Sequence, residues 1–261
     1  MQRTLLISSV MALMIGSASA TDLRIGTSAD YPPWDSVNTD GAIVGFDKDV
    51  GDTICERMEM KCAWQNQAYD GLLPGLIVGK YDLVISGISI TAERAKQVDF
   101  STAYADAPNQ FAVVSGSPIA EAKTVKDLEE ALNGKVVGVQ TGTTHEAVVL
   151  RHMSGSKVQL YDRTDQLADD LRAGRIDAGL MERSAWVPMF KDSTPPLAYA
   201  GPLLSSADYK EFGNGQAIAL SKNKPELKAS LDKAIAGMLA DGTLAGFSQK
   251  WFGYDLSYKA K

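Results

Sequence analysis

Gly79-Lys80-Tyr81-Asp82-Leu83-Val84-Ile85 and Gly174-Arg175-Ile176-Asp177-Ala178-Gly179-Leu180 follow one grammar, and their likeness decides the fold. In each, a glycine closes a helix and an apolar run then reads as a buried strand. Alone, so short an echo is a weak repeat signal. Its flanks extend it. Upstream of the first copy, Leu72, Leu73, Leu76 and Ile77 read as a helix with Pro74 in its first turn, where the missing N–H costs nothing. Before that come a strand near Ala63-Trp64-Gln65 and a helix striped by Val50, Ile54 and Met58, which Asp47 is placed to cap. A first strand, Leu23-Arg24-Ile25-Gly26-Thr27, runs into the loop Tyr31-Pro32-Pro33-Trp34. In the second half, Val136-Val137-Gly138-Val139 is a buried strand feeding Gln140-Thr141-Gly142-Thr143-Thr144, and Leu167 and Leu171 mark a helix that Gly174 ends.

Alternating strands and helices imply an α/β fold with doubly wound, mostly parallel sheets, and two such series imply two lobes. Small polar stretches separate them: Tyr104 to Gln110, with residues 106–109 as one crossover, and residues 205–215 as the other. A strand at Ala217-Ile218-Ala219-Leu220, a helix from Pro225 to near Gly242 and a short helix reaching Trp251-Phe252 then return to the first lobe. The expected division is therefore 21–105 with 216–261 as lobe 1, and 110–204 as lobe 2. Two connecting segments form a hinge suited to closing on a ligand.

Composition narrows the function. Of 261 residues, 45% are apolar and 22% charged, which excludes collagen-like and disordered chains. With 26 Lys and Arg against 32 Asp and Glu, the net charge is -6, and no basic run exceeds two residues, so nucleic-acid binding is disfavoured. Two His and two Cys are too few for most metal sites. No cofactor is expected. Residues 1–20 pair Arg3 with an apolar stretch from Leu5 to Ile15 and end Ala18-Ser19-Ala20, the pattern of a signal peptide cleaved after Ala20. Export makes a Cys55–Cys62 disulfide the expected state, bridging a helix end to the next strand.

Ligands of open α/β sheets sit at the carboxyl ends of the strands. Those ends present Ser28 to Tyr31, Ser86-Gly87-Ile88-Ser89, Gln140 to Thr144 and Met181-Glu182, with Thr91-Ala92-Glu93-Arg94 close behind the second. Hydroxyls, helix-start N–H groups, one Arg and one carboxylate are what an α-amino acid zwitterion needs. Each has a plainer reading as well. Arg94 fits a solvated helix surface, and Tyr31 and Tyr69 fit a core. Glu182, ending an apolar strand, is harder to place without a function. His145 reads as a helix-start residue facing solvent or the cleft rim, and His152 as plain surface. Neither neighbours a nucleophile, and no Walker loop or dinucleotide fingerprint is present.

Gly45-Phe46-Asp47-Lys48-Asp49 resembles the G-F-D-x-D signature of the family 3 solute-binding proteins, and Ser86-Gly87-Ile88-Ser89-Ile90-Thr91-Ala92-Glu93-Arg94 resembles the family's S-G-x-[ST]-I-T-x-x-R stretch. Gln140 to Thr144, Gly174 to Ala178 and Trp251-Phe252-Gly253 match later landmarks, so the likeness covers essentially the whole mature chain. The nearest group is that for lysine, arginine and ornithine, histidine, and octopine or nopaline. The resemblance implies a two-lobed type II periplasmic binding protein fold, a polar or basic amino acid or opine as ligand, and delivery to the permease of an ABC importer. A monomer is expected. By the same resemblance Arg94 grips the α-carboxylate, helped by Ser89 and Thr144 with their backbone N–H groups, and Thr143 belongs to the ligand-binding set. Glu182 meets the α-ammonium, assisted by the Gly87 carbonyl. Tyr31 and Tyr69 sandwich the side chain, and Ser28, Ser86 and Gln140 line its far end. Three departures stand out: Glu182 is commonly Asp, Ser28 stands where basic-amino-acid receptors often carry Asp, and Lys48 occupies a usually apolar position. Asp30 restores the lost acid only if it turns inward. The alternative on the same fold is a periplasmic cyclohexadienyl or arogenate dehydratase, with Glu182 as general acid.

Overall fold

The computed structural model describes residues 22–191 and 193–259, and the expected signal peptide lies outside them. In chain order come β1 (Asp22–Thr27), β2 (Asp30–Tyr31), β3 (Asp35–Val37), β4 (Ile43–Val44), α1 (Phe46–Arg57) and β5 (Lys61–Asn66). Next are α2 (Leu72–Ile77), β6 (Leu83–Val84), α3 (Ala92–Ala95) and β7 (Asp99–Phe100). A second series follows: β8 (Asn109–Val114), α4 (Val125–Ala131), β9 (Val136–Gln140), α5 (Thr144–His152), β10 (Lys157–Tyr161), α6 (Thr164–Arg172), β11 (Ala178–Glu182), α7 (Arg183–Phe190) and β12 (Leu197–Leu204). The described chain closes with β13 (Ala219–Leu220), α8 (Pro225–Ala240) and α9 (Thr243–Phe252).

Two five-stranded sheets result, ordered β5-β1-β6-β13-β7 and β10-β9-β11-β8-β12, with β2-β3-β4 as a small third sheet. Within each large sheet one strand runs against the rest: β13 is antiparallel to β6 and β7, and β8 to β11 and β12. These are the first strands after the chain passes from one sheet to the other. A chain arriving from the cleft enters at the carboxyl ends of the parallel strands, so it must run backwards. The passing segments are stitched together: the Gln216 N–H donates to the Ala105 carbonyl at 2.8 Å, and the Tyr104 N–H to the Gln216 carbonyl at 2.9 Å.

The sequence echo has a structural counterpart. The Asp82 carboxylate accepts the Arg24 N–H at 3.0 Å, and that of Asp177 accepts the Val136 N–H at 2.8 Å. Each aspartate returns its own N–H to the same residue's carbonyl at 2.8 Å. Two residues further along those strands stand Gly26 and Gly138. A Cβ there would come 2.8 Å from the Tyr81 ring and 2.5 Å from Ile176 Cδ1, the third residues of the two motifs. One device thus registers β1 against β6 in the first lobe and β9 against β11 in the second.

Both faces of each sheet are buried. Leu83, Ile218 and Leu220 face the α1, α8 and α9 side, while Val84, Ala217 and Ala219 pack with Leu72, Leu76 and Tyr81. In the second lobe Val137, Val139 and Leu180 lie on one face and Met181, with Leu167, Leu171 and Trp186, on the other. Period-two alternation with both sets apolar is the mark of a doubly wound sheet.

One local expectation is corrected. Asp47 does not cap α1. The cap position is Gly45, at φ 142°, where a Cβ would lie 2.1 Å from the Trp34 carbonyl oxygen. Asp47 is instead turned inward and fully buried. Lys48 pairs with Asp52 and lies 5.4 Å from the centre of the Trp64 ring. Cys55 and Cys62 form a disulfide with Cα atoms 6.0 Å apart.

Candidate functional site

The strand ends of the two lobes face one another across a cleft, and bonds cross it at several points. Trp34 Nε1 donates to Ser184 Oγ at 3.0 Å, Thr164 Oγ1 to the Asp30 carbonyl at 2.5 Å, and Arg94 Nη2 to the Gly142 carbonyl at 3.2 Å. Between them lies a small chamber walled by both lobes. Lobe 1 supplies Tyr31, Tyr69, Ser86, Gly87 and Ser89 to its wall, and lobe 2 supplies Gln140, Thr143, Thr144 and Glu182. Nine sequence-predicted site residues thus share one space. Ser28 and Arg94 do not line it. Arg94 borders an outer groove with Gly142, Thr143 and Thr144, and Ser28 a neighbouring cavity with Asp30, Asn66 and Arg163.

Local structure explains each placement. After β6 the chain turns at Gly87, whose φ of +56° is one that side chains rarely tolerate. Its N–H donates to Asp47 Oδ2 at 2.6 Å, so the buried carboxylate holds the turn from below. Thr91 caps α3 by accepting the Arg94 N–H at 3.1 Å. The guanidinium then reaches the Ser89 carbonyl at 3.1 Å and the Tyr69 hydroxyl at 3.2 Å. Across the cleft, Thr143 caps α5 by accepting the Glu146 N–H at 3.2 Å, and its hydroxyl donates to the Gln140 carbonyl at 2.6 Å. The start of α5 therefore presents N–H groups and a helix dipole to the chamber, a favourable seat for an anion.

Glu182 ends β11, 5% exposed. Its carboxylate accepts from the Tyr31 hydroxyl, and its N–H donates to the same oxygen at 3.0 Å. Burial, reinforced by Glu182, pushes the Tyr31 phenol well above its ordinary range, so it stays a donor. Burial likewise raises Tyr69, against the pull of Arg94.

His145 departs from expectation and Asn109 was missed. His145 faces neither solvent nor the rim. It is 4% exposed in the chamber wall, with Nε2 2.8 Å from Asn109 Oδ1 and 3.5 Å from Glu182 Oε2. Its position beside Thr143 and Thr144, at a helix start aimed into the cleft, was the available signal. Asn109 begins the reversed strand β8, which nothing in the sequence marks. Asp30 is turned inward, and its carboxylate accepts from Ser28 Oγ at 2.6 Å. Burial raises its pKa. His152 is exposed, as expected, with Nε2 2.9 Å from Glu211. Among the described residues no cluster of His, Cys, Asp and Glu is suited to a metal ion. No helix among them is long and apolar enough to cross a membrane.

Arg94 and Glu182 put opposite charges on opposite lobes, the arrangement that holds a zwitterion. Residues 23–254 match the family described as bacterial extracellular solute-binding proteins, family 3. The chain is 36% identical to the ABC transporter arginine-binding protein 1 of Escherichia coli over 252 residues, 97% of this chain and 99% of that one. It is 34% identical to the lysine/arginine/ornithine-binding periplasmic protein of the same organism over 258 residues, covering 94% and 96%. A periplasmic binding protein of high arginine specificity from Salmonella typhimurium superposes with a TM-score of 0.80 at 31% identity, over 89% of this chain and all of that one. With its two lobes, its facing strand ends and a family match that spans both, the chain belongs to the family 3 bacterial extracellular solute-binding proteins.

Proposed function

We propose that this protein is the exported receptor of an amino-acid ABC importer, closing on a free polar or basic amino acid, or an opine derived from one, and passing it to the membrane permease. The observation that carries the reading is the split charge pair: Arg94 on lobe 1 and Glu182 on lobe 2, at the edge and in the wall of one chamber. Arg94, with Ser89, Thr143 and Thr144, takes the α-carboxylate. Glu182 and the Gly87 carbonyl take the α-ammonium, and Tyr31 and Tyr69 flank the side chain. The hydrogen-bond partners of Arg94 are neutral groups, and Glu182 meets Tyr31 and His145, so a zwitterionic ligand supplies the opposite charge to each. Arginine is the first ligand to test, since the relatives named above bind it. Lobe 1 is assigned residues 21–105 and 216–261, and lobe 2 residues 110–204. The mature protein begins at Thr21 and acts as a monomer in the periplasm.

The test is thermal unfolding of protein freed of ligand by unfolding and refolding, against amino acids, opines and prephenate. A ligand at about 100 times its dissociation constant adds about 2.7 kcal/mol, a visible rise in Tm. A rise with one amino acid or opine is expected. A flat response across the panel would remove the zwitterion assignment.

A further inference from the structure

Gln140 forms one end of the chamber and is 5% exposed. Its amide has two N–H bonds and one carbonyl, and its surroundings fix which of them faces a ligand. Nε2 lies 3.3 Å from Asp30 Oδ2 and 3.2 Å from the Asp162 carbonyl. The backbone carbonyl can only accept. As a carboxylate Asp30 accepts too, and its Oδ2 also takes the backbone N–H of Thr164 at 3.2 Å. Both amide protons are committed, leaving Oε1, for which no partner stands among the described residues. Asp30 itself is pinned from both lobes, by Ser28 Oγ at 2.6 Å and by Thr164 Oγ1 on its carbonyl at 2.5 Å.

We infer that Asp30 is a specificity-determining positioning residue: by holding the N–H groups of Gln140 it makes the far end of the chamber a hydrogen-bond acceptor, selecting side chains that end in donors alone, a guanidinium or an ammonium. The inference rests on the amino-acid reading above and adds the side-chain class to it. It also explains how a chain with Ser28 in place of an acid can still choose a cationic side chain. The acid stands two residues further on, and acts through the amide across the cleft.

Three ligands whose side chains end in different hydrogen-bonding groups separate selection from mere structural support. Arginine ends in donors, glutamate in acceptors, and glutamine in an amide that can present either. Calorimetric titration of refolded wild type is expected to rank arginine above glutamine and glutamine above glutamate. In Asp30→Asn the new amide can donate, so Gln140 is free to turn. Arginine then weakens by about tenfold or more, glutamate gains relative to it, and glutamine changes by less than about threefold. Adding Gln140→Glu to Asp30→Asn restores a fixed acceptor and is expected to return arginine to within about threefold of wild type. If Asp30→Asn fails to fold, Asp30→Ser supplies the same donor. A parallel loss for all three ligands, or a wild type that prefers glutamate to arginine, overturns the inference and leaves the amino-acid reading standing. A wild type that binds no amino acid at all removes both.

Discussion

His145 Nε2 stands 3.5 Å from Glu182 Oε2 and 2.8 Å from Asn109 Oδ1, with all three residues buried. The Asn109 amide donates to the Leu204 carbonyl at 3.4 Å, so its oxygen faces the imidazole and the Nε2 proton lies between two acceptors. Burial lowers the His145 pKa, and Arg94 lowers it further, while Glu182 pulls the other way. A neutral imidazole leaves the Glu182 charge available to an ammonium. A charged one would compete for it.

The pH dependence of stability follows from that balance. Folded His145 binds its proton less tightly than the unfolded chain, whose value is 6.5, so unfolding takes up a proton in the window below 6.5. The stability from this site is complete above that window and is lost as pH falls through the depressed folded value. His145→Gln should remove the loss. Tm measured from pH 7.5 to pH 5 should fall more steeply for wild type than for the variant, and equal slopes would refute the assignment.

Arg94 carries the next prediction. Its guanidinium already spans the Ser89 carbonyl, the Tyr69 hydroxyl and the Gly142 carbonyl of the other lobe. Truncation leaves a ligand carboxylate without its charged partner, a loss of about 3 kcal/mol, so Arg94→Ala should weaken arginine by about a hundredfold or more. Arg94→Lys keeps the charge without the fork and should fall between. Titration showing Arg94→Ala binding as tightly as wild type would end the carboxylate role.

The fold was legible because its signals are local. A glycine before a buried strand, or a threonine before a helix start, is decided by a few neighbouring residues, as the Asp82 and Asp177 motifs show. The chamber was legible for the same reason: carboxyl ends of parallel strands converge whatever the side chains. Asp47 was misread because its short-range role as a cap and its long-range role beneath Gly87 require the same residue type, and only packing chooses. His145 was misread because a helix start is usually solvated, and burial of this one depends on the other lobe. Asn109 gave no signal, since its partner His145 lies 36 residues away in sequence.

Beneath the chamber Asp35 and Asp47 form a fully buried acid pair. Asp47 accepts from Tyr104 at 2.8 Å and from the Gly87 N–H at 2.6 Å, whereas neither Asp35 oxygen has a hydrogen-bond partner among the described residues. Burial pushes Asp35 well above the carboxylate range and Asp47 up to about 7. Acids raised in the folded state contribute stability that is full below the ordinary 3.8 and is lost as pH rises through about 7. Asp35→Asn removes one of the two charges that high pH would impose. Its Tm relative to wild type should therefore be higher at pH 8 than at pH 5. The same difference at both pH values would show that Asp35 does not hold its proton above the ordinary carboxylate range.

The disulfide tests whether stability and binding separate. Cys55 lies near the end of α1, and Cys62 is the second residue of β5, the edge strand of its sheet, at the end opposite the chamber. With a sequence separation of 7 the loop it closes is short, and the chain-entropy relation gives about 2.5 kcal/mol. Replacing both cysteines by alanine should lower Tm by about 5–10 °C. Affinity for arginine should stay within about twofold, because α1 and β5 still carry Val50, Ile54 and Trp64 into the core and no chamber residue touches the bridge. A large loss of affinity in the double variant would mean that the edge strand helps to position Tyr69, which follows β5 by three residues, and that the two ends of this sheet are mechanically coupled.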